Sequence, residues 1–262
     1  MGKRLGAFEK RIHEIDLIRG IMILIVIMDH LFWFLKTNNL QWYNATGIEF
    51  FNGAYQVFNF YWRSASRQII RQIVLFLFTF ISGVSCAFSR NNWKRAGQML
   101  LVYAVLTLVT NIIDAALGSD AQSFVIDFNI IGVLAWSVLI YCFFQNRSWK
   151  GLTAVMLIFL LFTITVIPSL LNIPGATEAH VPALWKPTRY SDWQPLFPYI
   201  CYFFAGAIIA KFIYKDRQSL VKRYEWERPF CFVGRHTIWI YLGHEPLLYG
   251  LFFLLTLIFG AM

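Results

Sequence analysis

The chain has 262 residues, 58% of them apolar, with 26 Phe and 10 Trp. Soluble domains are about half apolar at most, so this composition excludes an ordinary soluble protein. It points to an all-α integral membrane protein, because lipid offers no partners to open backbone groups. The net charge of +9 would suit nucleic acid in a soluble chain. Here the basic residues fall between apolar stretches, which fits loop charge asymmetry and no nucleic-acid partner.

The chain opens with a short basic stretch holding Lys3, Arg4, Lys10 and Arg11, which sets the N-terminus in the cytoplasm. The apolar run that follows is too long for a cleavable leader and lacks a small-residue cleavage site. It is read as a first membrane helix over residues 12–35, long enough to cross a bilayer. Yet it carries Asp16, Arg19, Asp29 and His30. Arg19 and His30 are eleven residues apart, about three turns, so they share a face roughly 16 Å apart along the axis. Asp16 precedes Arg19 by one turn and is within pairing reach. Ionisable groups inside a span are costly, and by default they mark a site facing the bundle interior. The other reading makes His30 an interhelical hydrogen-bonding group and Arg19 a snorkelling anchor.

Residues 36–67 form an outer segment rich in aromatics, including Trp42, Tyr43, Phe50, Phe51, Phe60, Tyr61 and Trp62. Such rings favour the membrane–water interface. The segment is either an interfacial re-entrant piece or amphipathic helix, or a lid that stacks on a sugar ring. A second helix over 69–89 contains Ser82, Gly83 and Ser85, small residues that permit close helix contact or a dimer interface. Arg90, Lys94 and Arg95 follow in a short cytoplasmic loop. Further helices are expected over 98–117, 124–144, 152–171 and 195–214. Asp127 and Asn129 serve the fourth as caps or as site residues. The outer loop 172–194 has three prolines and no helical period. A basic stretch then leads to a long last helix over 230–259, with Arg235 and His236 at its start and His244-Glu245-Pro246 within it.

On this topology sixteen Lys and Arg fall on the cytoplasmic side and six outside. The bias supports a single domain over 1–262 with about seven spans and a cytoplasmic N-terminus. The last helix is long enough to hold an eighth short element. No internal repeat is visible, which argues against a transporter of two related halves.

His30 and His244 are the candidate general bases, since imidazole is the usual proton acceptor near neutral pH. Asp29 and Glu245 adjoin them. Sequence neighbours point about 100° apart on a helix, so Glu245 is free to meet a group on the first helix instead of His244. Pro246 releases a backbone carbonyl beside His244. The plainer reading of His244-Glu245-Pro246 is a kink whose polar groups satisfy each other. No HxxxH or HxxE spacing occurs, and the four cysteines fall singly, so no metal is expected. There is no GxSxG nucleophile elbow and no phosphate loop. The cytoplasmic basic groups can hold a phosphorylated cofactor or simply follow the positive-inside rule. Arg19 and Arg235, at helix starts, are the better candidates.

Several motifs together resemble a known family. Arg11-Ile12-His13-Glu14-Ile15-Asp16-Leu17-Ile18-Arg19-Gly20 with His30 resembles the opening of the heparan-α-glucosaminide N-acetyltransferase catalytic domain and its bacterial relatives. The stretch from Phe76 to Ser89, with Arg90, Lys94 and Arg95, is similar to that family's second helix and loop. Asp192-Trp193-Gln194-Pro195 with Gly206, then Gly234-Arg235-His236-Thr237 and His244-Glu245-Pro246, resemble its last helices. The spacing of Arg19 and His30 also resembles that of the acyltransferase-3 family. The resemblance implies acetyl transfer from cytoplasmic acetyl-CoA, the co-substrate, to an extracytoplasmic amino sugar or glycan, in a bacterial cytoplasmic membrane. A homodimer is compatible with it. Under it His30 is general base or acetyl carrier, with His244, Glu245 and Asp29 beside it. Arg19, Asp16, Arg235, His236, Arg90, Lys94 and Arg95 would hold the CoA end. The family's usual catalytic histidine lies in the first outer loop, where this chain has none, so His30 rests on the reading of the first helix. The competing functional reading is a transporter or flippase for a small or lipid-linked substrate, which would need no acyl donor.

Overall fold

The computed structural model describes residues 12–117, 126, 128–171, 193–214 and 218–259. These divide into two compact units, one within Met1–Phe78 and Gln218–Met262, the other within Thr79–Arg217. Among the described residues there is helix and no strand. Asp127 lies outside them, as do the three prolines of the outer loop.

In the first unit an apolar stretch winds into α1, His13–Thr46. Glu14 and Asp16 occupy its first turn, where acidic groups meet the positive end of the helix dipole. The helix runs past its expected end at residue 35. Asn38 and Asn39 donate to the carbonyls of Phe34 and Leu35 at 2.8 and 2.7 Å. In this way two polar residues beyond the expected end are absorbed into the helix. Packing supplies the larger reason. Phe34 and Trp42 join Phe51, Leu248 and Phe252 in one buried cluster, and the Trp42 indole donates to Thr256 at 3.1 Å. Gly47 ends α1 in the left-handed region (φ 71°), its N–H on the Tyr43 carbonyl, a position that favours glycine.

The amphipathic α2, Glu49–Arg63, buries Phe51 and leaves Phe50 and Phe60 exposed. The outer aromatic segment is thus helical for most of its length. Ser64 breaks the chain in extended geometry. Its hydroxyl accepts from the Arg67 N–H at 3.2 Å, an N-cap contact that starts α3, Ala65–Ala87. The expected last helix is two. A short α8, Arg228–Arg235, follows a 3-10 turn, and α9 spans Thr237–Phe259. The break falls at His236, with Thr237 donating to the Gly234 carbonyl at 2.7 Å.

The second unit holds the remainder of α3, then α4, Asn92–Leu117, α5, Ile130–Phe144, α6, Trp149–Leu171, and α7, Tyr199–Ile213. Asn129 caps α5, accepting from the N–H groups of Ile131 and Gly132. That places the start of α5 later than the expected residue 124 and gives Asn129 a structural role. Lys211 near the end of α7 donates to the carbonyls of Gln145 and Arg147, each at 2.6 Å, satisfying acceptors that a helix end leaves open. Among the described residues, five helices are long and apolar enough to cross a membrane: α1, α3, α4, α6 and α9. The apolar α5 and α7 have 15 residues each, about 22 Å of helix against a hydrocarbon core of about 30 Å.

Among the described residues, two glycine pairs permit close helix crossings. In the first unit a Cβ on Gly20 would overlap the Phe230 carbonyl oxygen, and one on Gly234 would overlap that of Asp16. In the second unit Gly83 meets the Phe203 carbonyl and Gly206 that of Phe80 in the same way. The small residues of α3 and α7 therefore pack against each other within one chain. Gly20→Ala and Gly234→Ala must push backbone from backbone, and each is expected to lower stability by more than the ~1–3 kcal/mol of ordinary overpacking. Gly53, with nothing near its Cβ position, is the control. Gly53→Ala should be neutral or stabilising by up to about 1 kcal/mol. Thermal unfolding of the three variants in one detergent checks this.

Candidate active site

The polar groups of α1 meet those of α9 within the first unit. His30 Nδ1 lies 2.5 Å from His244 Nε2 and 3.8 Å from Glu245 Oε1. The two rings are nearly parallel, with centroids 4.8 Å apart. His244 is buried, while His30 and Glu245 are partly exposed. The turn of α9 explains why both of its residues reach one partner. They point about 100° apart, and the imidazole of His30 sits between them.

Hydrogen bonding orders the protons. His244 Nδ1 is 2.5 Å from the Tyr241 carbonyl, which only accepts, so that nitrogen carries the hydrogen. In the neutral ring His244 Nε2 is then an acceptor and takes the proton of His30 Nδ1. That leaves the lone pair of His30 on Nε2. The pair is a base whose tautomer is set from one end by a backbone carbonyl.

Asp29 follows a different course from its neighbour. It points to Arg67 at the start of α3, which holds it with two bonds, Nε to Oδ1 at 2.8 Å and Nη2 to Oδ2 at 2.7 Å. Tyr61 of α2 donates to the same Oδ1 at 3.0 Å. Burial, then the Asp29 charge, pushes the Tyr61 phenol up to about 12, so it stays a donor. The Arg67 guanidinium stacks over Trp62, its carbon 3.4 Å from the ring centre. Asp29 therefore anchors α1 to α2 and α3, and no carboxylate contact to His30 from Asp29 is formed through hydrogen bonds. Sequence reading missed Arg67 and Tyr61. The available signal was an arginine just after the aromatic run, in a segment read as outer, where positive charge is expected to be scarce.

Arg19 and Asp16 lie one turn apart on α1, both partly buried, next to the Gly20–Gly234 crossing. Arg235 is on the opposing helix α8, its Nε on the Cys231 carbonyl at 3.1 Å. His236 is exposed and bonded to the Phe232 carbonyl at 2.9 Å. The crossing gathers Asp16, Arg19 and Arg235 at one end of the unit. Arg90, Lys94 and Arg95 belong to the second unit, in the turn after α3 and the start of α4.

A further polar group went unread in the sequence. Glu14 accepts from the Leu220 N–H at 2.8 Å and from the Ser219 hydroxyl. Ser219 in turn lies 2.6 Å from His13 Nδ1, and His13 Nε2 faces Glu227 at 3.3 Å. A serine, a histidine and a glutamate are thus aligned. However, Ser219 gives its proton to Glu14, so it accepts from His13, the reverse of a nucleophile and its base. The group is a clasp that ties residues 219–220 to the start of α1.

An apolar helical chain whose imidazole pair joins two candidate spans fits the class of integral membrane proteins. The family model described as heparan-alpha-glucosaminide N-acetyltransferase, catalytic, matches residues 11–246. The chain belongs to that family, and by family it is a transmembrane acetyltransferase. The matched range takes in Arg19, His30, Arg67, His244 and Glu245. No curated protein and no solved structure matches the chain.

Proposed function

We propose that the protein moves an acetyl group from cytoplasmic acetyl-CoA to an amino sugar or glycan on the other side of the membrane, with His30 as the general base. The observation that carries this reading is the meeting of His30, His244 and Glu245 from two helices, in a chain whose family is one of acetyltransferases. His30 Nε2 takes the proton of the acceptor's amine or hydroxyl as that atom attacks the thioester carbonyl. The carbon–sulfur bond breaks, and CoA leaves as thiolate. His244 accepts the Nδ1 hydrogen of His30 and so keeps the Nε2 lone pair available. The positive charge that grows on His30 is met by Glu245 at 3.8 Å.

Arg19, Asp16 and Arg235 hold the anionic end of the donor in this reading. Arg19 precedes His30 by about three turns, roughly 16 Å, which suits a donor whose phosphates and thioester sit at opposite ends of a long arm. Arginine meets phosphate with paired donors.

The test is acetyl-CoA binding to the purified protein, read as thermal stabilisation and by calorimetry, against CoA. Ligand at about 100 times Kd adds ~2.7 kcal/mol to a state that alone binds it. Saturable stabilisation that Arg19→Ala weakens at least tenfold in Kd is the expected result. Absence of binding to intact protein would overturn the donor assignment and favour transport.

A further inference from the structure

The cluster of His30, His244 and Glu245 has a second capacity that its sequence spacing concealed. Each residue offers one donor atom, and the three atoms lie within 4.8 Å of one another. Two imidazoles and a carboxylate are a donor set that binds zinc with one position left open. The metal-ligand spacings that sequence reading looks for run along one helix. Here one histidine comes from α1 and the other two donors from α9.

The outer contact of His244 and the convergence of two ring nitrogens suit an ion. His244 donates its Nδ1 hydrogen to the Tyr241 carbonyl at 2.5 Å and turns Nε2 toward His30. That is the outer contact that ligating histidines usually make, and it fixes the tautomer a metal needs. His30 turns Nδ1 toward the same point. Two ring nitrogens 2.5 Å apart need a positive centre between them, either a proton or a metal ion. A tetrahedral zinc with Zn–N bonds of about 2.0–2.1 Å fits after the two nitrogens separate by roughly 1 Å and the rings, now meeting head-on, tilt so that both nitrogens face the ion. Asp29 does not compete for the ion, because Arg67 and Tyr61 occupy it.

We infer that His30, His244 and Glu245 form a binding site for a divalent transition-metal ion, with zinc the best fit to the donor set. An ion bound at His30 Nδ1 moves that ring's hydrogen to Nε2. The lone pair assigned above to the base is thereby lost, so zinc is an inhibitor of acetyl transfer. This consequence rests on the proposed acetyltransferase mechanism, while the binding itself does not.

The experiment uses the full chain in detergent, stripped with a chelator and titrated with Zn2+ by calorimetry and by competition with a chromogenic chelator. One zinc per chain is expected. His30→Ala, His244→Ala and Glu245→Gln should each weaken it by more than the roughly 10–100-fold that loss of an outer partner costs. His236→Ala, outside the cluster, should keep the wild-type constant. Co2+ added to the wild-type protein should give the visible bands of a tetrahedral site, a reading that needs no variant to fold. The inference is overturned if the wild-type protein takes up no stoichiometric metal, or if the three ligand variants bind as it does. Metal binding in a protein that transfers no acetyl group would leave the site standing and remove the acetyltransferase mechanism. Acetyl transfer by a protein that binds no zinc would do the opposite.

Discussion

His30→Ala is expected to lower acetyl transfer by about 10²–10⁴-fold, the range general-base catalysis supplies, with the protein still folded. The side chain is 28% exposed, and its polar contacts are to His244 and Glu245. Its removal therefore opens no sealed core. Stability should change far less than turnover. His244→Ala acts one step away. It removes the acceptor for the His30 Nδ1 hydrogen, so the base loses its preferred tautomer but keeps its ring. A smaller loss, with kcat falling more than KM rises, is expected. Labelled acetyl transfer per mole of folded protein reads both variants, and the ratio of kcat/KM values gives the lost transition-state stabilisation. Near-normal turnover in His30→Ala would take His30 out of the mechanism.

The apolar spans and the polar residues within them were legible in the sequence because membrane burial imposes long apolar runs, and each exception to them stands out. Both histidines were found that way. Their 2.5 Å approach was not legible, since it joins residues 214 positions apart and depends on which helix packs on α1. Helix ends were read less well, and each miss has a local cause. Asn38 and Asn39 lie beyond the expected end but bond back to their own helix. Asn129 starts α5 six residues after its expected beginning at 124, because its side chain satisfies two N–H groups that a helix start exposes. The last helix is split at His236 although the apolar pattern continues across it. Gly83, read as permitting close contact, faces α7. Gly234 was read only as part of a motif, and its role in holding α8 against α1 is a backbone contact that no side-chain pattern records. The Asp29 clamp illustrates the same limit. Asp29 adjoins His30 in sequence, but helix neighbours point about 100° apart, and the fold turns Asp29 to Arg67 and Tyr61.

That clamp carries the other large effect. Asp29 and Arg67 are joined by two short bonds with side chains only 18% and 12% exposed, at the junction of α1, α2 and α3. Truncating one partner leaves the other charge with little water around it, which costs about 3–5 kcal/mol for a buried pair. Asp29→Ala is therefore expected to cost near that range. Asp29→Asn should cost nearly as much, since it keeps the shape but loses the charge that the guanidinium needs. Arg67→Lys is not a mild change here. A lysine has no fork to match both carboxylate oxygens and no flat face for Trp62. Tyr61→Phe removes one bond and should cost about 1 kcal/mol. The decisive variant is the double Asp29→Ala/Arg67→Ala. With both charges gone, no uncompensated ion remains, and the loss should be well below the sum of the single variants. Unfolding midpoints measured in one detergent give the coupling as the difference between the sum and the double. A coupling near zero would mean that the pair is solvated and that α1 is held by its aromatic cluster alone. A coupling of several kcal/mol would mean that the charge pair fixes the rotation of α1, and with it the direction in which His30, one residue on, presents its ring.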